Sequence, residues 1–150
     1  MPIAVFPGSF DPVTIGHVSI VQRALPLFEK VVVAIGTNTT KRGMFGLEQR
    51  LTWLRETFAQ EPRVEVVSYE GLTVDLCQRV GATYILRGLR NSTDHGAERS
   101  IALMNHALGG VETLFLPALP QHAHISSTIV RELIANKADV SAFVPQAVRP

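Results

Sequence analysis

The stretch VVVAI, residues 31–35, is an unbroken apolar run that is rich in β-branched side chains. A strand with one face in water alternates apolar and polar residues, so an unbroken run predicts a strand that is covered on both faces. Four apolar residues at helical spacing precede it: Val18, Val21, Leu25 and Phe28. This spacing predicts a helix that starts at Gly16. A helix that leads into a doubly covered strand is typical of an α/β protein with a parallel sheet.

The same alternation of strands and helices extends outward in both directions along the chain. Further strands are predicted at residues 3–6, 64–67, 84–86 and 114–116. Further helices are predicted at residues 47–58, 73–80, 94–108 and 128–136, with another short one at 139–143. This order predicts an α/β fold with a single doubly wound, five-stranded parallel sheet and right-handed crossovers.

The composition excludes several classes of protein. The chain has 150 residues, of which 46% are hydrophobic and 18% charged, so we expect one globular domain over residues 1–150. The one cysteine, Cys77, excludes a disulfide framework and a Cys-rich zinc site, and it fits a reducing, cytoplasmic compartment. The net charge of +1 argues against a nucleic-acid partner. No apolar run approaches the length of a membrane span, so no membrane partner is expected either.

Polar or glycine-containing segments follow each predicted strand. They are Gly8-Ser9, the loop with Lys41, residues 71–73, Arg87 with Arg90, and residues 122–128. In doubly wound sheets, ligands bind beyond the carboxyl ends of the strands. We therefore expect these segments to meet in a single site.

The segment from Gly8 to His17 has the features of an anion-binding site. A glycine directly after a strand lets the backbone turn sharply and approach a ligand closely. His17 falls in the first turn of a predicted helix, where unpaired N–H groups and the helix dipole favour phosphate. Taken alone, however, His17 is also compatible with an ordinary polar position at the start of a surface helix.

Hydroxyl groups and cations are also predicted at the carboxyl edge of the sheet. Residues 126–128 are Ser, Ser and Thr, and an N-cap needs only one of these hydroxyls, so the others could serve a phosphate. The alternative is a simply capped helix. Lys41, Arg87 and Arg90 also fall at this edge. Because arginine binds phosphate in a bidentate manner, the combination favours a phosphorylated ligand.

Two motifs together resemble those of a known superfamily. They are PGSFDPVTIGH at residues 7–17 and ISSTIVRE at residues 125–132. They are similar to the (H/T)xGH and ISSTxxR motifs of the nucleotidyltransferases. The Lys41 loop with Met44-Phe45, GLTVD at 71–75, LRGLR at 86–90 and Met104-Asn105 further resemble bacterial phosphopantetheine adenylyltransferases.

The resemblance implies a Rossmann-like nucleotidyltransferase fold and a reversible adenylyl transfer. ATP and 4′-phosphopantetheine would give dephospho-coenzyme A and pyrophosphate, in the penultimate step of coenzyme A biosynthesis. The resemblance further implies Mg²⁺ that is held through nucleotide phosphates and water, with no protein metal ligands. Coenzyme A as a further ligand and a homohexameric assembly are implied as well.

The resemblance also implies roles for individual residues. His17 would stabilise the transition state, and Ser9, Lys41 and Arg90 would assist it. The residues implied for phosphopantetheine are Ser9, Lys41, Thr73 and Arg87. The residues implied for ATP are Ser9, Phe10, His17, Gly88, Leu89, Arg90, Glu98, His122, Ala123, His124, Ile125, Ser126, Ser127 and Thr128.

One segment departs from the family pattern. Where the family usually reads D-F-E-Y-E, this chain has DHGAE at residues 94–98, which predicts a loosened start of the following helix with less buried area. Two alternatives stay open. One is a sister transferase that acts on nicotinate mononucleotide or a polyol phosphate. The other is a nucleotide-binding module that has lost catalysis, and only the altered segment supports it.

Overall fold

The computed structural model describes residues 1–37 and 43–150, and of residues 92–94 only the backbone. The strands are β1 (Ile3–Gly8), β2 (Lys30–Gly36), β3 (Val64–Tyr69), β4 (Tyr84–Leu89) and β5 (Glu112–Pro117). The α-helices are α1 (Ile15–Ala24), α2 (Leu47–Thr57), α3 (Thr73–Val80), α4 (Ser92–Gly109) and α5 (Ser127–Ala135). Short 3₁₀ turns occupy Leu25–Leu27 and Pro120–His122. Among the described helices, none is long and apolar enough to cross a bilayer.

The five strands form one parallel sheet in the order β3-β2-β1-β4-β5, which confirms the predicted architecture. Strand β2 lies inside the sheet, and its side chains alternate between two cores. Val31, Val33 and Ile35 pack into a core with residues of α1, α2 and α5, whereas Val32 and Ala34 pack into a second core with residues of α3. Burial of each such valine stabilises the fold by roughly 1.5–3 kcal/mol. The unbroken apolar run is therefore needed because helices cover both faces of the sheet.

The sheet splits between β1 and β4 at their carboxyl ends. All six residues of β1 pair with β2, but only Ala4 and Val5 of β1 pair with β4. Pro7 lies in β1 just beyond the last of these pairs, and proline has no N–H group to donate to a neighbouring strand. Its carbonyl instead accepts a 2.7 Å hydrogen bond from Nη1 of Arg87 on β4. The split opens a crevice where the strand order reverses, which is the usual ligand position in such sheets.

The first predicted helix is wrong beyond Ala24, where α1 ends. Pro26 follows in a 3₁₀ turn, and Phe28 adopts an extended backbone after it, with its ring buried in the core. Since proline cannot donate an i→i−4 hydrogen bond, the regular helix stops before it. The apolar spacing thus identified core residues correctly but overestimated the helix length.

The short helix predicted at 139–143 is also wrong. The segment forms turns, in which the Ser141 N–H donates to the Asp139 carboxylate and the Phe143 N–H donates to the Val140 carbonyl. Short polar side chains such as aspartate compete in this way with helical hydrogen bonds. The backbone carbonyl of Phe143 accepts from the Ile15 N–H at 3.0 Å and so helps to satisfy the start of α1.

One element boundary near the predicted site differs from expectation. Strand β4 continues to Leu89, so Arg87 lies within the strand and not after it. Helix α3 has the predicted bounds, and the hydroxyl of its first residue, Thr73, bonds to the Tyr69 hydroxyl at 2.8 Å. Gly81 ends α3 with φ +75°, a left-handed conformation that glycine adopts readily.

Gly96 lies in the second turn of α4, because this helix begins at Ser92. His95, Gly96 and Ala97 are all exposed, so the larger family residues would not be buried within this chain. A Cβ added at Gly96 would meet nothing within 4 Å. We therefore expect Gly96→Ala to stabilise the protein by about 1 kcal/mol, by helix propensity alone. Urea unfolding of the two proteins measures this, and an unchanged or lower free energy of unfolding would contradict it.

Candidate active site

Two cavities lie at the carboxyl ends of β1 and β4. The first has a volume of about 300 Å³ and is lined by residues 8–10, the start of α1 and the start of α5. The second has a volume of about 260 Å³ and lies against Gly36, α3 and α4. The two cavities share four lining residues: Pro7, Gly8, Arg87 and Glu98. The crevice between β1 and β4 therefore consists of two cavities that share one wall.

Most of the sequence-predicted residues meet in these two cavities. The predicted residues that line the first cavity are Ser9, Phe10, His17, Arg87, Gly88, Arg90, Glu98, His122, Ile125, Ser126, Ser127 and Thr128. Thr73 lines the second cavity, together with Arg87 and Glu98. Segments that are distant in sequence thus lie together at these cavities, as expected. The roles of the individual residues remain predictions.

Four predicted site residues are not placed there. Leu89, Ala123 and His124 line neither of these two cavities. The Leu89 carbonyl accepts from the Ala118 N–H, and the exposed His124 ring contacts the Phe143 ring edge-on at 6.4 Å. Both residues thus serve the packing of neighbouring segments. Lys41 lies outside the described residues.

The imidazole of His17 is held in one tautomer by the start of its own helix. Nδ1 accepts a hydrogen bond from the backbone N–H of Thr14 at 3.0 Å and lies 3.2 Å from the Thr14 hydroxyl. The Thr14 hydroxyl in turn accepts from the His17 N–H, which completes a reciprocal cap. Because Nδ1 is an acceptor, the proton of the neutral ring is on Nε2. His17 therefore offers one N–H donor at the wall of the first cavity.

The surroundings of His17 keep this ring uncharged. Burial, together with the positive charges of Arg87 and Arg90, lowers the pKa of His17 from 6.5 to about 4. The ring of Phe10 packs edge-on against the imidazole, at a centroid distance of 4.9 Å. Phe10 is 2% exposed and has φ +46°, an uncommon conformation that its buried ring contacts maintain. Phe10 thus packs against His17 and also lines the first cavity, and its predicted contact with the nucleotide stays a prediction.

The three hydroxyl groups at the start of α5 all have partners within the protein. Ser126 caps the helix by accepting from the Ile129 N–H. The Ser127 hydroxyl donates to the Pro12 carbonyl at 2.8 Å, and Thr128 accepts from Arg131 at 3.2 Å. The capped-helix interpretation is therefore correct for Ser126. The anion-binding capacity of this segment lies mainly in the backbone N–H groups of the first helical turn.

Arg87 and Glu98 form an ion pair in the wall that the cavities share. Nε of Arg87 donates to Oε2 of Glu98 at 3.0 Å, and Nη2 donates to Oε1 at 2.6 Å. The side chains are only 31% and 16% exposed. This is the planar, bidentate arrangement that guanidinium and carboxylate groups favour. It connects β4 directly to α4 at the centre of the site.

Sequence reasoning assigned no role to Asp11 and Arg131, although both lie in the quoted motifs. The buried Asp11 carboxylate accepts from the backbone N–H groups of Met44 and Phe45, at 2.7 and 2.9 Å. Arg131 lines the first cavity and donates to the Asp11 carbonyl at 2.9 Å. A signal for Arg131 was present, since it lies three residues after Thr128 on the same helix face. No local signal indicates that Asp11 binds a segment more than 30 residues away.

Asp11→Ala is expected to destabilise the protein. It would leave two backbone N–H groups, those of Met44 and Phe45, without their acceptor. Hydrogen bonds to charged groups are worth roughly 1.5–3 kcal/mol each, and partial solvation of the exposed segment reduces the loss, so we expect about 2–3 kcal/mol. Chemical unfolding measures the change. Asp139→Ala, which removes a carboxylate from an exposed turn, is the control, and equal losses for both variants would contradict the assignment.

The low pKa of His17 also predicts a pH dependence of stability. The unfolded chain takes up a proton on this ring near pH 6.5, whereas the folded protein does so only near pH 4. Stability contributed by the neutral ring is therefore full above pH 6.5 and is lost as pH falls towards 4, by at most about 3 kcal/mol. Unfolding of wild type and His17→Asn at pH 7 and pH 4.5 measures this. The wild type should lose more stability, and equal losses would contradict the assignment.

The sequence is similar to a family model and to proteins of other bacteria. The cytidylyltransferase-like family model matches residues 5–133. A Flavobacterium psychrophilum phosphopantetheine adenylyltransferase is 52% identical over 97% of this chain and 97% of its own length. The corresponding protein of Christiangramia forsetii is 49% identical over 99% of both chains.

A solved structure supports the fold. It is that of a Vibrio parahaemolyticus protein described as a candidate nicotinate-nucleotide adenylyltransferase, with a TM-score of 0.69, 16% identity, and coverage of 97% of this chain and 88% of that one. At this identity the likeness concerns the fold alone. The sequence relatives are closer and cover nearly the whole length. The chain therefore belongs to the cytidylyltransferase-like family and, within it, to the phosphopantetheine adenylyltransferases.

Proposed function

We propose that this protein transfers the adenylyl group of ATP to 4′-phosphopantetheine, forming dephospho-coenzyme A and releasing pyrophosphate. The observation that carries the proposal is the meeting of two cavities at Arg87, next to a histidine that is held as a neutral donor. A reaction between two phosphorylated molecules needs two binding spaces that meet where their phosphates react. We infer the identity of the two molecules, ATP and 4′-phosphopantetheine, from the family to which the chain belongs.

The first cavity suits the nucleotide. The N-terminal ends of α1 and α5 both border it, and Arg90 and Arg131 line it. Helix N-termini and arginine side chains both favour the anionic oxygens of a triphosphate. Nδ1 of His122 is buried and has no hydrogen-bond partner among the described residues, which suits a polar edge of a nucleotide base.

The second cavity suits the pantetheine arm. Ile85, Ile101 and Ala102 give it apolar walls, and Asn105 and the bonded hydroxyls of Tyr69 and Thr73 provide polar groups. In the described part of the chain, the buried Thr113 hydroxyl has no hydrogen-bond partner either. A slender chain that carries amide groups matches this mixture of walls. The arm would place its phosphate at Arg87, in the wall shared with the nucleotide cavity.

The chemistry requires positioning and charge stabilisation more than a protein nucleophile. An oxygen of the phosphopantetheine phosphate attacks the α-phosphorus of ATP, the bond from that phosphorus to the bridging oxygen breaks, and pyrophosphate leaves with the electron pair. The attacking phosphate is already an anion, so no strong base is needed. His17 donates from Nε2 to oxygen atoms on which charge grows, and a donor fixed in advance loses little energy to reorganisation.

Mg²⁺ is part of this proposal. Among residues 1–37 and 43–150, no group of three or more His, Cys, Asp or Glu side chains could hold a metal ion. The Asp11 carboxylate is engaged by backbone N–H groups, and the Glu98 carboxylate is engaged by Arg87. Because both carboxylates are already engaged, the site suits an ion that is held by ATP phosphates and water, as Mg²⁺ commonly is. When bound, the ion would neutralise charge on the triphosphate and on the leaving pyrophosphate.

The alternatives are tested by a panel of ligands in thermal-shift measurements. We expect 4′-phosphopantetheine and dephospho-coenzyme A to raise the melting temperature, because a ligand that binds only the folded state stabilises it. Nicotinate mononucleotide and glycerol 3-phosphate serve as controls and should have no effect at equal concentration. Stabilisation by nicotinate mononucleotide alone would favour the sister-transferase alternative. Binding of ATP and phosphopantetheine without pyrophosphate release would favour loss of catalysis.

We also propose a homohexamer, coenzyme A as a further ligand, and a cytoplasmic location. The assembly is supported by an apolar stripe on α4, in which Ile101, Met104 and Leu108 are 55–59% exposed at helical spacing. An exposed apolar stripe of this kind is typical of a surface that a partner covers. Light scattering tests the mass, and Met104→Glu should shift a hexamer to smaller species.

A further inference from the structure

Glu98 places a negative charge in the wall of a site that must accept phosphate groups. It lines both cavities and is 16% exposed. A carboxylate near a bound phosphate repels it, since like charges at short range destabilise each other. A residue that opposes ligand binding in this way needs a compensating role. The contacts of Glu98 indicate what that role is.

Both carboxylate oxygens of Glu98 are directed at one guanidinium group. Oε2 accepts from Nε of Arg87 and Oε1 accepts from Nη2. A third contact joins Nη1 of Arg87 to the Pro7 carbonyl at 2.7 Å. These contacts hold the guanidinium from two sides, from α4 by a carboxylate and from β1 by a carbonyl. The Arg87 side chain, which is otherwise long and rotatable, is thereby fixed between the cavities.

The held arginine still has donors to offer. An arginine side chain carries five N–H groups, and the three bonds above engage three of them within the described part of the chain. The two that remain, one on Nη1 and one on Nη2, are sufficient for a bidentate contact with a phosphate. A guanidinium that is already ordered loses less conformational entropy when it binds. The ion pair thus prepares Arg87 without using all of its binding capacity.

We propose that Glu98 is a positioning residue for the phosphopantetheine phosphate, acting through Arg87 and not by contact with the nucleotide. This inference rests on the proposed function and deepens it. Glu98 orients the Nη1 and Nη2 end of Arg87 towards the place where the two cavities meet. Its removal therefore impairs the use of phosphopantetheine more than the use of ATP.

A double-mutant cycle on Glu98 and Arg87 tests the proposal. Steady-state rates are measured with each substrate varied in turn, for wild type, Glu98→Ala, Arg87→Ala and the double variant. Glu98→Ala should raise KM for phosphopantetheine about tenfold, with kcat and KM for ATP changing less than about threefold. In the Arg87→Ala background, the same substitution should not raise KM further, because the group it positions is absent and the unpaired carboxylate only repels the phosphate.

Conservative and matched variants separate positioning from other effects. Glu98→Gln keeps one side-chain oxygen that can accept from Arg87 and should restore KM to within about threefold of wild type. Glu65→Ala removes the carboxylate of an exposed ion pair with Lys30 and should leave both KM values unchanged. Melting temperatures of all variants are recorded so that a loss of folded protein is not taken for a change of KM.

Three results would overturn the proposal. They are a rise in KM for ATP instead of phosphopantetheine, equal effects of Glu98→Ala with and without Arg87, and tighter phosphopantetheine binding by Glu98→Ala, which would mean that charge repulsion dominates. Wild-type turnover with ATP and phosphopantetheine is measured first. Its absence would overturn the proposed function itself, whereas turnover with an additive cycle would overturn only the role of Glu98.

Discussion

His17→Ala should lower kcat by about 100- to 1000-fold while leaving KM for ATP within a few-fold of wild type. Removal of one fixed donor to developing charge typically has an effect of this size. The structure explains why the donor is fixed: Nδ1 is bound to the Thr14 N–H, so the ring proton is on Nε2. Single-turnover rates and separate ATP titrations measure the two quantities.

His17 also caps α1, so a second variant must separate folding from chemistry. His17→Asn keeps a side-chain oxygen that can accept from the Thr14 N–H but lacks a donor at the position of Nε2. Its melting temperature should lie near that of wild type, while its kcat stays as low as that of the alanine variant. Recovery of kcat in the asparagine variant would show that the cap, and not the donor, is what catalysis requires.

Arg87→Ala should raise KM for phosphopantetheine by about 100-fold and change KM for ATP by less than about threefold. The guanidinium lines both cavities and would lose a bidentate, charge-assisted contact with the substrate phosphate. Arg87→Lys is the matched control, because it keeps the positive charge but not the planar fork. It should recover only part of the affinity. Equal changes in both KM values would contradict the assignment of Arg87 to one substrate.

The sheet and the place of the site could be predicted because the governing patterns are local. The run at residues 31–35 contains in five residues the alternation between two cores that the structure shows. The polar segments after the strands converge because parallel strands end at one edge of the sheet. His17 was identified from its position at a helix start, and its neutral tautomer follows from Thr14, three residues earlier.

The remaining features depend on contacts between distant segments. The first strand was predicted at residues 3–6, but β1 continues to Gly8 because Pro7 and Gly8 still pair with β2. Glu98 lines the first cavity, but the bonds of both its oxygens to Arg87 were not predicted. Asp11 binds the backbone at Met44 and Phe45. Spacing along the chain does not reveal such pairs, because the fold must exist before they meet.

The region from 37 to 43 illustrates a different limit. Residues 38–42 lie outside the described part of the chain, and Lys41 is one of them. Its implied role with phosphopantetheine therefore stays a prediction. The Asp11 carboxylate binds the backbone at Met44 and Phe45, shortly after this segment. A comparison of Lys41→Ala with Arg87→Ala in phosphopantetheine titrations would assign it.

Identification of the reaction product tests the proposed adenylyl transfer to phosphopantetheine directly. Purified wild-type protein is incubated with ATP, 4′-phosphopantetheine and Mg²⁺, and the products are identified by mass spectrometry while pyrophosphate is quantified. We expect dephospho-coenzyme A and pyrophosphate in equal amounts, and the reverse reaction from those two products. Absence of dephospho-coenzyme A, or adenylylation of nicotinate mononucleotide in its place, would contradict it.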